Sequence, residues 1–266
     1  MSGVNRSPAR TIPRVDVLGV QVSATSLARA AEEIAGWVQD DDRREYVCVT
    51  GVHGVMECQA DPELLGIHNA SGLTTTDGMP LVWASRRAGV DDVTRVYGPD
   101  LMLEVCHRAA ANGWSSFLYG AAEGVPELLA ENLADRFPGL DVVGTYSPPY
   151  RQLTADEADE IATMINDSGA DLVWVGLSTP KQERWMAEFR GRLNAPVLLG
   201  VGAAFDIHAG LLPQAPPLLQ RAGLEWAYRL AVEPRRLWRR YLKNNPRFVA
   251  NVVRHPPRVV PARAGS

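Results

Sequence analysis

The sequence predicts an α/β protein: a Rossmann-like, mainly parallel sheet with helices on both faces, followed by a basic helical C-terminal appendage. Three observations predict it. Short apolar runs alternate with helix-period segments from about residue 15 to 217, the pattern of successive βαβ units. Five of these runs end in glycine-rich polar turns. After Gly202 the alternation stops, and arginines interleaved with aromatic residues take over.

The elements follow in order. Residues 1–14 and about 256–266 are rich in Pro, Arg, Ser and Ala without periodicity and read as flexible ends. Val15 to Val22 reads as a strand or hairpin. Ser26 to Val38 reads as a helix with Leu27, Ala30, Ala31, Ile34, Trp37 and Val38 on one face. Tyr46 to Thr50 is a buried strand, and two short helices fit His53–Ala60 and Pro62–Asn69. Leu73 to Thr76 is a strand; Pro80–Ala88 and Pro99–Ala111 are helices with proline in the first turn. Strands at Ser115–Tyr119, Leu140–Gly144, Asp171–Gly176 and Pro196–Gly202 alternate with helices at Val125–Phe137, Thr154–Asn166 and Pro180–Arg190. Thr154 and Glu157 form a capping box. A long loop, Ala203 to Pro217, leads into appendage helices over 218–255, broken at Pro234 and Pro246.

Composition excludes several classes. With 266 residues, 46% hydrophobic and 22% charged, the chain can bury a sizeable core and is not a disordered one. The longest apolar stretches, such as Pro196 to Val201, fall far short of the roughly 20 residues of a membrane span. Met1 to Arg14 lacks the apolar stretch of a secretory signal. Cys48, Cys58 and Cys106 form no C-x-x-C pair, which argues against a disulfide or zinc framework and suits a reducing cytoplasm. The net charge of −4 is unevenly spread. Residues 221–266 hold 11 Lys and Arg against 2 acids, whereas residues 1–220 hold 16 against 29. Trp226, Tyr228, Trp238, Tyr241 and Phe248 lie among the arginines, a pairing suited to an anionic membrane surface, a phosphate-bearing ligand or nucleic acid. The acidic body argues against nucleic acid.

In open α/β sheets, ligands bind beyond the carboxyl ends of the strands. Here those ends carry Thr50 and His53; Asp77, Gly78 and Met79; Gly120 and Glu123; Gly176, Pro180, Lys181 and Gln182; and Gly202, Phe205 and Asp206. Glycines let main-chain N–H groups approach a phosphate, and five such turns on one rim point to a nucleotide or phosphorylated ligand. The dinucleotide fingerprint fails, because Phe205 stands where its third glycine belongs, and no phosphate-loop motif is present. No DxD pair is offered to a metal. Asp40-Asp41-Asp42 and Asp91-Asp92 read as solvated turns. Asp77, between a strand and a proline-opened helix, is the best candidate base. Its plainer role is a helix cap, which would keep its pKa low. Arg95, just before Tyr97-Gly98-Pro99-Asp100, suits a diphosphate or an ion pair. Gln182 and Glu183 open a helix, where first-turn capping is their ordinary role. His53 is placed to reach the site; the other four histidines read as structural or exposed.

Taken together these segments resemble the WecG/TagA/CpsF glycosyltransferase family. Residues 76–83, 95–101, 176–183, 200–206, 224–230 and 234–241 carry the resemblance in order, over about residues 15–250. It implies an inverting, metal-independent transferase that moves a sugar from a UDP-sugar onto a polyprenyl-diphosphate-linked sugar at the inner membrane face. The products would be bacterial surface polysaccharides such as teichoic acid linkage units or exopolysaccharide. It implies Asp77 as the base, Arg95 and Gln182 near the donor diphosphate and sugar, Gly98 among the substrate-binding residues, Asp206 close to the uracil, and Arg229, Arg236 and Arg240 as arginines that the appendage brings to the site. Members transferring N-acetylmannosamine carry Thr-x-Asn at the early strand end. Here Val49 and Gly51 hold those places, with Thr50 and His53 beside them, so glucose or another hexose stays open alongside N-acetylmannosamine. Oligomeric state is also open, a homo-oligomer among the outcomes. Two readings from other classes stand beside this one: a Rossmann-like oxidoreductase and a non-catalytic nucleotide-binding module.

Overall fold

The structure, a computed structural model, describes residues 12–40 and 42–260, with Arg221 and Arg236 described by backbone alone. The chain opens with the hairpin β1 (Arg14–Val17) and β2 (Val20–Ser23) and the helix α1 (Leu27–Val38). Next come β3 (Glu45–Thr50), α2 (Val52–Cys58), α3 (Pro62–Ala70), β4 (Leu73–Thr76), α4 (Met79–Arg87) and α5 (Gly98–Asn112). Then follow β5 (Ser115–Gly120), α6 (Val125–Arg136), β6 (Asp141–Tyr146), α7 (Ala155–Asp167), β7 (Leu172–Gly176), α8 (Lys181–Phe189) and β8 (Val197–Gly200). The remainder is α9 (Ala204–His208), α10 (Pro217–Arg221), α11 (Glu225–Val232), α12 (Pro234–Arg254) and β9 (Arg258–Val260).

Local chemistry explains the helix starts. The Ser26 hydroxyl accepts the Arg29 N–H at α1, and the Thr154–Glu157 capping box closes the start of α7. Proline sits in the first turn of α3, α4, α5 and α6, where no intrahelical N–H is needed. The strands β4, β7 and β8 are buried almost throughout, so they read as continuous apolar or threonine runs rather than alternations.

The six central strands form one wholly parallel sheet in the order β4-β3-β8-β7-β5-β6. The chain builds β3 and β4 outward on one side, crosses to β5 and β6 on the other, and returns inward through β7 and β8. One face packs on α1, α5, α6 and α9 around Ile34, Met102, Trp174 and Phe205. The other packs on α7 and α8 around Ile161, Met186 and Phe189. A third cluster joins the hairpin to α2 and α4 and includes Phe248 of α12.

Three expectations are corrected. The C-terminal end is not wholly loose: β9 pairs antiparallel with β1, Arg14 opposite Val260. At the other end Arg14 is buried, its guanidinium donating to the carbonyls of Ser71 (2.6 Å) and Gly72 (2.9 Å). Residues 1–11 and 261–266 lie outside the described residues. The loop expected from Ala203 contains the short helix α9. And α12 runs through Pro246 unbroken, because the packing of Leu237, Asn244 and Phe248 holds a helix that the missing N–H alone would interrupt.

Candidate active site

A cleft of about 1200 Å³ opens beyond the carboxyl ends of β3, β4, β5, β7 and β8. The backbone sets its floor. The Asp77 N–H donates to the Thr50 carbonyl (3.0 Å), tying the end of β4 to β3. The Val96 N–H donates to Thr76 (2.9 Å) and the Thr76 hydroxyl to Thr94 (2.8 Å), so residues 94–97 run beside that strand end and deliver Arg95, Tyr97 and Gly98.

Asp77 does not cap α4. Gly78 is the cap residue, and no side chain bonds there. The carboxyl instead lines the cleft, with Oδ1 sealed from solvent and without a partner among the described residues. Burial, reinforced by the negative charge of Glu225, raises its pKa to about 7 against the pull of Arg95, Arg229 and the Gly98 N–H. The low pKa of a capping carboxylate is thereby overturned: the group is poised to exchange a proton near neutrality.

The appendage forms one wall. Arg229 and Arg240 line the cleft, and the Nε of Arg229 is sealed and unpartnered. Arg95 is anchored to the same appendage. It donates to Glu225 Oε2 (2.6 Å) and Gln220 Oε1 (2.7 Å), stands 3.7 Å from Asp100, and lies over the Tyr97 ring, 4.2 Å from its centroid. Arg95 therefore does not face the cleft as a ready diphosphate ligand; a carboxylate holds it. Burial and the neighbouring Glu225 and Asp77 also push the Tyr97 phenol well above its usual range.

Of the other predicted residues, Gly98, Gly176, Lys181, Gln182, Gly202 and Asp206 line the cleft. The rest do not. Thr50 is buried, its hydroxyl turned to the Cys48 carbonyl at 3.4 Å. His53 packs on the appendage, 3.1 Å from the Asn244 amide, and burial lowers its pKa to about 4. Neither stands in for the missing Thr-x-Asn pair; Val49 is the residue of that stretch lining the cleft. Gly78 and Met79 start α4, with Met79 against Gly223. Glu123 is exposed outside the cleft. Pro180 lies between lining residues without lining. Phe205 is fully buried beneath Gly176, whose absent side chain makes room for its ring. Gly120, at φ +127°, approaches the Gly176 backbone so closely that a Cβ would lie 2.7 Å from it. The Arg236 side chain lies outside the described residues, as does Asp41; Asp40, Asp42, Asp91 and Asp92 are exposed as expected.

Sequence reasoning missed Tyr97, Glu225 and the far end of the cleft, where Tyr119, Pro148, Tyr150 and Trp185 contribute. Glu225 had a signal: it is one of only two acids in the basic C-terminal 46 residues. Gln182 and Glu183 are both buried rather than capping at the surface. Among the described residues no three His, Cys, Asp or Glu side chains group as metal ligands, and no helix is long and apolar enough to cross a membrane.

A parallel sheet with a sealed carboxylate oxygen and cationic groups at its carboxyl edge makes an α/β protein with a ligand cleft suited to an anionic substrate. Residues 15–259 match the model of the Glycosyl transferase WecG/TagA/CpsF family, and the chain belongs to that family. It is 30% identical over 216 residues, 81% of each chain, to a Bacillus spizizenii protein named N-acetylglucosaminyldiphosphoundecaprenol N-acetyl-beta-D-mannosaminyltransferase. It is 27% identical over 254 residues, 94% of this chain and 96% of the relative, to a Staphylococcus aureus protein of the same name. The chain is thus a glycosyltransferase, and the oxidoreductase and non-catalytic readings fall away.

Proposed function

We propose that this glycosyltransferase moves a hexose or N-acetylhexosamine from a UDP-sugar to a sugar carried on a polyprenyl diphosphate, with inversion and without a metal ion. The product would serve bacterial surface polysaccharide or teichoic acid assembly. The observation that carries the reading is Asp77: a carboxyl with an unpartnered oxygen, titrating near neutrality, in a cleft walled by appendage arginines. In a single displacement the acceptor hydroxyl oxygen bonds to the anomeric carbon and its proton passes to Asp77. The bond from that carbon to the β-phosphate oxygen breaks, and UDP leaves with the electron pair. Arg229, Arg240 and Lys181 line the cleft and would offset the charge that develops on UDP. The names of the relatives favour a polyprenyl-diphosphate N-acetylglucosamine acceptor and an N-acetylmannosamine donor.

The acceptor lipid would hold the enzyme to the inner face of the cytoplasmic membrane. The outer side of α12 suits that surface: Trp238, Leu242, Val249 and Val253 are exposed along it, beside Arg239 and Lys243. Each cation near an anionic leaflet contributes about 1 kcal/mol. The deciding experiment offers a panel of UDP-sugars with a synthetic polyprenyl-diphosphate N-acetylglucosamine and measures UDP release, with and without EDTA. Turnover of one UDP-sugar, unaffected by EDTA, is expected. No turnover with any sugar would overturn the donor assignment, and inhibition by EDTA reversed by magnesium would overturn the metal-free mechanism.

A further inference from the structure

Glu183 is a carboxylate with 1% exposure and no cation within salt-bridge distance among the described residues. Burying such a group is costly, so its place asks for a cause. Helix capping does not supply one. A glutamate in the first turn ordinarily accepts the N–H of the cap residue, but the cap of α8 is Pro180, which has none. Glu183 turns inward instead. Its Oε1 accepts the Thr179 hydroxyl (2.8 Å) and the Gln182 side-chain amide nitrogen (3.1 Å), while its Oε2 has no partner.

That second hydrogen bond fixes the sense of the Gln182 amide. Only the nitrogen end can donate to a carboxylate; the reversed amide would set two acceptor oxygens against each other. Gln182 Oε1 is consequently the end left over. It is sealed and unpartnered, in a side chain 3% exposed that lines the cleft, and it lies near Gly202, where a Cβ would stand 3.4 Å away. Gly200 leaves room for Met186, whose Cε a Cβ would meet at 2.6 Å, and for the amide, whose Cδ it would meet at 3.3 Å. A buried oxygen awaiting a partner selects a donor group on the ligand and disfavours an acceptor. A diphosphate offers only acceptors. A sugar offers hydroxyl and amide N–H donors.

We infer that Glu183 is a positioning residue: by anchoring the Gln182 nitrogen it presents the Gln182 oxygen to an O–H or N–H of the transferred sugar, making this pair a sugar-reading rather than a phosphate-binding element. The inference rests on the UDP-sugar reading above.

The test compares UDP with UDP-N-acetylmannosamine by isothermal titration, because the two ligands differ only by the sugar. Glu183→Met removes the acceptor while keeping the shape. It should weaken the UDP-sugar tenfold or more and UDP less than threefold. Glu183→Gln retains an acceptor oxygen and should restore UDP-sugar binding to within threefold of wild type. Equal weakening of both ligands, no weakening of either, or a Glu183→Gln variant as poor as Glu183→Met would each overturn the inference. Should Glu183→Met fail to fold, Gln182→Leu decides: selective loss of the UDP-sugar supports the sugar contact, and unchanged UDP-sugar affinity overturns it. A wild-type protein that binds UDP but no UDP-sugar overturns the inference with the donor reading intact only for the nucleotide; one that binds neither removes the donor reading itself.

Discussion

Replacing Glu225 by Gln should move the pH dependence of transfer to lower pH. The Asp77 carboxyl titrates at about 7 instead of 3.8 because burial and Glu225 disfavour its ionised form. That rise corresponds to about 4 kcal/mol of preference for the neutral acid. A base must be ionised to take the acceptor proton, so kcat/KM in the wild type should fall about tenfold per pH unit below about 7. Glu225→Gln removes the like charge. It also takes away the carboxylate at 2.6 Å from Arg95, leaving that cation's charge less offset near Asp77. Both effects lower the pKa of Asp77, together by about one unit. At pH 6 the ionised fraction would then rise from about one tenth to about one half. The assay is UDP release from pH 5 to 9 at subsaturating donor, and the midpoint of the acid limb is the readout, since the plateau also reflects how Arg95 is held. A wild-type limb near pH 4, or a variant midpoint unchanged or higher, would refute the reasoning.

Asp77→Asn should abolish most transfer yet stabilise the fold at alkaline pH. The native pKa lies above the unfolded one, so native protein binds the extra proton between pH 4 and 7 and loses stability as pH rises through that window. The variant's gain in melting temperature should be absent at pH 4 and largest above pH 7; a pH-independent difference would contradict it. Gly120→Ala should cost more than about 2 kcal/mol in urea unfolding, because a Cβ there meets the Gly176 backbone at 2.7 Å in a left-handed conformation; a loss under 0.5 kcal/mol would count against the close approach. Reversing Arg239 and Lys243 to Glu should release the protein from anionic vesicles in a sedimentation assay while sparing UDP binding; equal retention would move the membrane face elsewhere.

Truncating the appendage would be a poorer test of its role, because Phe248 belongs to the core that seats the N-terminal hairpin and β9 completes that hairpin's sheet. The segment that presents arginines to the cleft is also part of what holds the fold together.

The periodicity of the chain determined the α/β class, the helix starts at Ser26 and Thr154, and most strand positions, because these depend on neighbours within a few residues. The same local order named Asp77 and placed it at a strand end. Tertiary structure alone decided what that aspartate is. Whether it caps α4 with a low pKa or stands sealed with a raised one depends in part on the charge of Glu225, about 150 residues further along the chain. The fate of Arg95, held by Gln220 and Glu225, was settled the same way, as was the withdrawal of His53 onto Asn244. A pKa and an ion pair are properties of what surrounds a side chain, and at Asp77 and Arg95 those surroundings come from elements far apart in sequence.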